Sequence, residues 1–191
     1  MQLNEDDRIL HYSLLSRILT DQLTTEDMKK LVDFSESFSS SSESLLAEVQ
    51  TEMKSWATKE DDEALRVEYA HLFLMPEGVK AYESVYRTKD RLMMQEPWEK
   101  VRTFYLKHGL KLEGEKTHPE DHASVELAFM ALLIENKETE EVQKAFFDQH
   151  LFCWLPKLFE DMQANPYADF YQKAAKYGEA FLQQEKKRLI G

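Results

Sequence analysis

Apolar residues recur along this chain every three or four positions, the spacing of one face of a helix, through nearly every segment. Ile9, Leu10, Leu14, Ile18 and Leu19 make the first stripe. Asn4 precedes it as a cap, and Glu5, Asp6 and Asp7 suit the positive end of the helix dipole. Thr24 or Thr25 caps a second stripe of Met28, Leu31, Val32 and Phe34. Ser39 to Ser42 reads as a loop whose last serine caps a third helix carrying Leu45, Leu46, Val49, Met53 and Trp56. The helices on either side are short and need a common core, so no domain boundary is placed there.

A fourth helix begins near Asp61, carries Leu65, Tyr69, Leu72 and Phe73, and ends before Pro76, because the residue before a proline avoids the helical region. Residues 75–86 read as irregular. Pro97 opens a helix at its first turn and Gly109 closes it in the left-handed position. Pro119 is expected to open the next helix, with Thr117 and Glu120 spaced as a capping box. Further helices are predicted after Thr139, near Pro156 and after Asn165-Pro166. Period-two alternation is absent, and no internal repeat is visible. The expectation is an all-α fold, a single-domain helical bundle over residues 1–191.

Composition narrows the function. With 24 Lys+Arg against 36 Asp+Glu, the net charge of −12 repels nucleic acid and anionic lipid and favours cationic partners. Leu127 to Ile134 is the longest wholly apolar run, too short to span a bilayer, and the acidic N-terminus lacks the features of a secretory signal. A soluble cytoplasmic protein without direct membrane insertion follows as the expectation. The single cysteine, Cys153, excludes an intramolecular disulfide and reads as a buried, inert thiol in an apolar run. No glycine-rich phosphate loop is present, so a nucleotide enzyme has no support.

The chemistry concentrates between Tyr105 and Met130. His118, His122 and Glu126 follow at i, i+4 and i+8, a spacing that can hold zinc in a small helical metal-dependent hydrolase. His118 falls at the helix start, where its side chain need not align with the others. Glu120 and Asp121 suit the first turn of a helix as dipole partners, and Asp121 and His122 would be open to solvent or a ligand there. Glu126 lies on the face that packs, so it needs either an internal partner such as His122 or a ligand.

These residues, taken with others, resemble the TorD-like family of redox-enzyme maturation chaperones, which includes DmsD and NarJ relatives. The resemblance rests on EYAHLF at 68–73 followed by Pro76, on YESVY at 82–86, on Tyr105, Gly109 and Pro119-Glu-Asp-His122 with Glu126-Leu127, and on HLFCWLP at 150–156. Met75 and Ala81 depart from it, where relatives often carry glycine and proline. The resemblance implies a cytoplasmic chaperone, not an enzyme, with no cofactor, metal or catalytic residue of its own. Its partner would be an apo molybdopterin-containing oxidoreductase subunit and that subunit's twin-arginine signal peptide, bound by a monomer or homodimer. The family's peptide-binding role falls on Leu72, Phe73, Pro76, Ser84, Tyr86, Asp121, His122 and Glu126, with Gly109 architectural. A carboxylate cluster beside an apolar groove complements two arginines and the apolar segment behind them.

Overall fold

The computed structural model describes residues 3–38, 42–109 and 118–190. Every regular element among them is helical: α1 (Glu5–Thr20), α2 (Thr25–Ser35), α3 (Glu43–Ala57), α4 (Glu63–Tyr69), α5 (Glu83–Arg87), α6 (Glu96–Lys107), α7 (Ala123–Glu135), α8 (Glu140–Phe146), α9 (Leu155–Ala164) and α10 (Phe170–Leu189). Wide π-helical turns extend α4 over Ala70–Leu74 and α8 over Phe147–Leu151.

Side chains set several of the boundaries. Asn4 accepts from the Asp7 amide, and Thr24 closes a reciprocal capping box with Asp27. Gly109 ends α6 at a φ of 79°, which a side chain would strain. The N-terminus of α10 is capped from a distance. Glu68, buried on α4, accepts the amides of Asp169, Phe170 and Tyr171 at 2.9, 3.2 and 2.7 Å. One carboxylate thereby satisfies three of the amides that a helix start leaves unpaired.

The core is continuous from Leu3 to Leu189. α7 lies at its centre against α1 and is apolar almost all round, as a helix enclosed by others must be. α10 packs along α9 and α3 and brings Phe170, Tyr171 and Phe181 inward. Gly178 permits its contact with α9, since a Cβ there would stand 2.6 Å from the Phe159 ring.

Two expectations are corrected. Residues 75–86 are not wholly irregular, for α5 begins at Glu83. The helix expected from Pro119 starts only at Ala123, with His122 as its cap. The reason is pairing: Glu83 donates its amide to Asp121 O at 2.8 Å and Ala123 donates to Ala81 O at 2.9 Å. Residues 121–123 therefore run antiparallel to 81–83 as an isolated bridge, and their amides and carbonyls are taken before a helix can begin. Thr117, expected in the capping box, lies outside the described residues.

Candidate functional site

The Tyr82–His122 bridge brings together the starts of α5 and α7, and most of the residues singled out from sequence gather around it. The Ser84 amide donates to Asp121 Oδ2 at 3.0 Å. His122 Nδ1 accepts from the Ser124 amide and lies 2.8 Å from Ser124 Oγ, which leaves the ring proton on Nε2. The His122 ring stacks on His118 with centroids 3.8 Å apart and meets Tyr82 edge-on at 4.9 Å. Burial, then the neighbouring His118, lowers the His122 pKa to about 3, so it is neutral at physiological pH.

Asp121 and His122 were expected to be open to solvent, and they are buried. Glu126 is buried too, but His122 is not its partner. Trp154 donates its indole N–H to Glu126 Oε2 at 2.9 Å, and the second partner is the Glu83 carboxyl. Burial, then the charge of Glu83, holds the Glu126 carboxyl well above the usual carboxylate range. That shift favours the protonated form of Glu126, which can donate to Glu83.

Glu83 collects the other contacts. Arg87 donates to it from the next turn of α5, His150 Nδ1 lies 3.0 Å from Oε2, and Cys153 Sγ lies 3.9 Å from Oε1. Two buried oxygens beside this centre, Asp121 Oδ1 and Glu126 Oε1, accept no hydrogen bond among the described residues. Burial also raises the Asp121 pKa against the opposing Ser84 bonds.

The apolar candidates that form the rim lie on two elements, the turns that follow α4 and helix α5. Leu72 is buried, Phe73 is half-buried against Tyr69 and Tyr171, and Pro76 is exposed. The turn after Leu74 folds back so closely that a Cβ at Gly78 would meet Leu72 O at 2.5 Å. Tyr86 lies half-buried over Trp154 at 5.5 Å and donates its hydroxyl to Asp161 at 3.1 Å.

The metal reading of His118, His122 and Glu126 does not fit this geometry. His118 turns to Thr20 O and Asp21, His122 to Ser124, and Glu126 to Trp154 and Glu83. Among the described residues no group of three or more His, Cys, Asp or Glu side chains could hold a metal ion. Cys153 lies at the surface and corrects the expectation of a buried residue, although its sulfur turns inward to Gln149 O at 3.0 Å. Enclosure of that sulfur, then the charge of Glu83, pushes the thiol up to about 12, so it carries no thiolate at neutral pH.

Sequence reasoning missed Glu83, Arg87, His150 and Trp154. The available signal was Glu83, an acid inside YESVY whose i+4 neighbour is Arg87.

Comparison with known proteins adds three findings. The model of the nitrate reductase delta subunit family matches residues 39–160, a span that contains all eight residues expected to bind peptide. The chaperone protein TorD of Vibrio vulnificus strain YJ016 is 30% identical over 139 residues, covering 66% of this chain and 65% of that protein. TorD of Vibrio cholerae serotype O1 strain O395 is 33% identical over 134 residues, covering 64% and 60%. The match thus spans less than two thirds of these relatives' length. A redox enzyme maturation protein from Archaeoglobus fulgidus has a similar fold, with a TM-score of 0.67 at 22% identity over 92% of this chain and 93% of that one.

Proposed function

Because the chain belongs to the nitrate reductase delta subunit family and is similar to chaperone proteins TorD, we propose that it is a system-specific chaperone of a molybdoenzyme. It holds the apo-subunit or its twin-arginine signal peptide in the cytoplasm until the cofactor is inserted. It binds and does not catalyse. Among the described residues no helix is long and apolar enough to cross a membrane, which accords with such a role. The observation that carries the reading is the family match across residues 39–160, because both strands of the Tyr82–His122 bridge and the whole apolar rim fall inside it.

The geometry refines where the peptide goes. Asp121 and Glu126 are covered and engaged from within, so they are not a ready-made receptor for two guanidinium groups. Their role in this reading is to fix the bridge and the positions of Ser84 and Tyr86. The peptide's apolar segment lies on the rim formed by Phe73, Pro76 and Tyr86, where side-chain surface is accessible. The excess of acidic side chains draws its arginines toward the surface and speeds the encounter.

The test is titration with a synthetic twin-arginine signal peptide followed by calorimetry. Micromolar affinity, about −8 kcal/mol, is expected. Replacing the peptide's leucines should weaken binding more than replacing its arginines by glutamine, since apolar contact carries the affinity and charge carries the rate. If neither a twin-arginine peptide nor any apo-molybdoenzyme subunit binds, the chaperone reading is wrong.

A further inference from the structure

Residues 89–96 are exposed without a break, and the run includes Leu92, Met93 and Met94 at 57%, 42% and 53% exposure. No other segment among the described residues shows three consecutive large exposed hydrophobics. The segment joins α5 to α6, and both its ends are fastened to one residue. The Thr88 amide and hydroxyl donate to Ser84 O at 3.1 and 2.8 Å, and the Gln95 amide donates to Ser84 Oγ at 3.1 Å.

Within the loop, Arg91 and Met94 sit at φ values of 52° and 57°, a left-handed conformation that side chains disfavour. The backbone is thus held in an unfavourable shape that presents three apolar side chains to water. Nothing in the fold's own packing requires that arrangement, and sites of this kind concentrate where a protein meets a partner.

The charge around the loop opposes that of the molecule. From Arg87 to Lys107 six Lys and Arg stand against three Asp and Glu; Arg87, Lys100 and Arg102 face Glu83, Glu96 and Glu120, which leaves Lys89 and Arg91, with Asp90 between them, as the charges of the loop in a chain of net −12. Lys89 makes no ion pair among the described residues, and the Arg91 guanidinium has only the Tyr86 ring, at 6.0 Å. The cationic signal peptide of the proposed function is therefore the wrong partner for this surface.

We propose that the 88–95 loop is a second docking surface, for an apolar segment with acidic flanks in the unfolded mature part of a client. This rests on the chaperone reading but not on the signal-peptide site. Two features select that occupant. Lys89 and Arg91 complement acidic flanks. Two unbranched methionines repack around apolar sequences that differ in shape, as a chaperone of a partly folded protein requires. An anionic membrane is disfavoured, because the strongly acidic remainder of the molecule would be brought against it.

The test uses the full chain and two variants, Leu92→Ser/Met93→Ser/Met94→Ser and Lys89→Glu/Arg91→Glu. The probes are a synthetic peptide of about fifteen residues with a leucine-rich centre and glutamate flanks, the same peptide with lysine flanks, a twin-arginine signal peptide, and phosphatidylglycerol vesicles. The wild-type chain should bind the glutamate-flanked peptide at least about tenfold more tightly than the lysine-flanked one. The triple serine variant should lose most of that binding, and the charge variant should reverse the preference. Both should melt within about 2 °C of wild type, because the replaced side chains are exposed. Twin-arginine peptide binding should be unchanged in the serine variant and no weaker in the charge variant, whose position 91 faces the Tyr86 ring. Equal affinity for the two flanked peptides, unimpaired binding by the serine variant, or binding to vesicles alone would overturn the inference. Loss of twin-arginine binding in the wild-type chain, with the flanked-peptide preference intact, would instead overturn the signal-peptide site and leave this surface standing.

Discussion

Apart from Glu68, two of the buried carboxylate centres among the described residues are built on opposite principles. The first joins α1 to α10. Glu185 accepts from Arg8 Nε and Nη2, each at 2.8 Å, and from the Tyr12 hydroxyl at 2.9 Å, while Arg8 Nη1 donates to Gln143 at 3.0 Å. One cation faces one anion, and none of these atoms is left without a partner. The second centre, between α5, α7 and the turn Phe147–Leu151, holds Glu83 and Glu126 with Arg87 at its edge, and it leaves two carboxyl oxygens unaccepted. The first is a closed ionic clasp between helices far apart in sequence. The second has more acid than base, and burial beside Glu83 favours the protonated form of Glu126. A closed clasp serves the fold, whereas a buried centre with an excess of acid is where binding is to be sought.

The largest effect should come from breaking the clasp. Glu185→Ala leaves the Arg8 guanidinium buried and unpaired, and unfolding by urea should show a loss of about 3–5 kcal/mol. Peptide binding by the fraction that remains folded should be near normal.

Acid should act on both centres. Each has a buried histidine nearby, His11 on α1 and His122 at the start of α7, and burial lowers each pKa to about 3. A histidine held neutral binds fewer protons folded than unfolded, so stability is full above the free value of 6.5 and falls as the pH drops toward 3. At pH 5 each should cost roughly 2 kcal/mol. Thermal melts from pH 8 to pH 4 on wild type and His122→Gln should show the variant losing less. Parallel curves would remove His122 from this account.

Trp154→Phe tests the second centre alone. It removes the donor to Glu126 Oε2 and keeps the ring against Tyr86, so a loss of about 1–3 kcal/mol is expected at pH 8.

The smallest effect separates the two centres most cleanly. The Glu126 carboxyl is held well above its free value of 4.5, so its contribution is most favourable below pH 4.5 and is lost as the pH rises through the folded value. Glu126→Gln keeps the shape and supplies an N–H for Glu83. It should be neutral at pH 4.5 and gain about 1 kcal/mol by pH 8. Glu185→Gln, its counterpart in the clasp, should lose stability throughout. If both glutamines behave alike, the distinction between the centres fails.

The first centre was invisible in the sequence. Arg8, Gln143 and Glu185 fall on three separate helices, and each reads as an ordinary surface charge or amide within an amphipathic pattern. The helices themselves were legible, because Asn4, Thr24, Pro97, Gly109 and Thr139 act on backbone groups within a turn of themselves. α5 was not, since its five residues carry too short a stripe and its start is set by pairing with residues about forty positions away. The same pairing delayed α7 past Pro119 and buried Asp121. Site residues could be gathered from their motifs, but their burial and partners could not, because both depend on which helix ends the bridge brings together.

The two π-helical turns carry a consequence for chain length. Ala70–Leu74 includes Leu72 and Phe73 of the rim, and Phe147–Leu151 includes His150 beside Glu83. A π-helical turn holds one residue beyond the α-helical count. A π-helical turn rotates less per residue than an α-helical one, so losing the extra residue would close the turn as an ordinary α-helix and leave the following chain close to its register. Losing one residue from an ordinary α-helical turn would instead rotate everything beyond it by about 100°. These two turns are therefore where a one-residue gap could be absorbed without carrying Pro76 or Trp154 away from its neighbours.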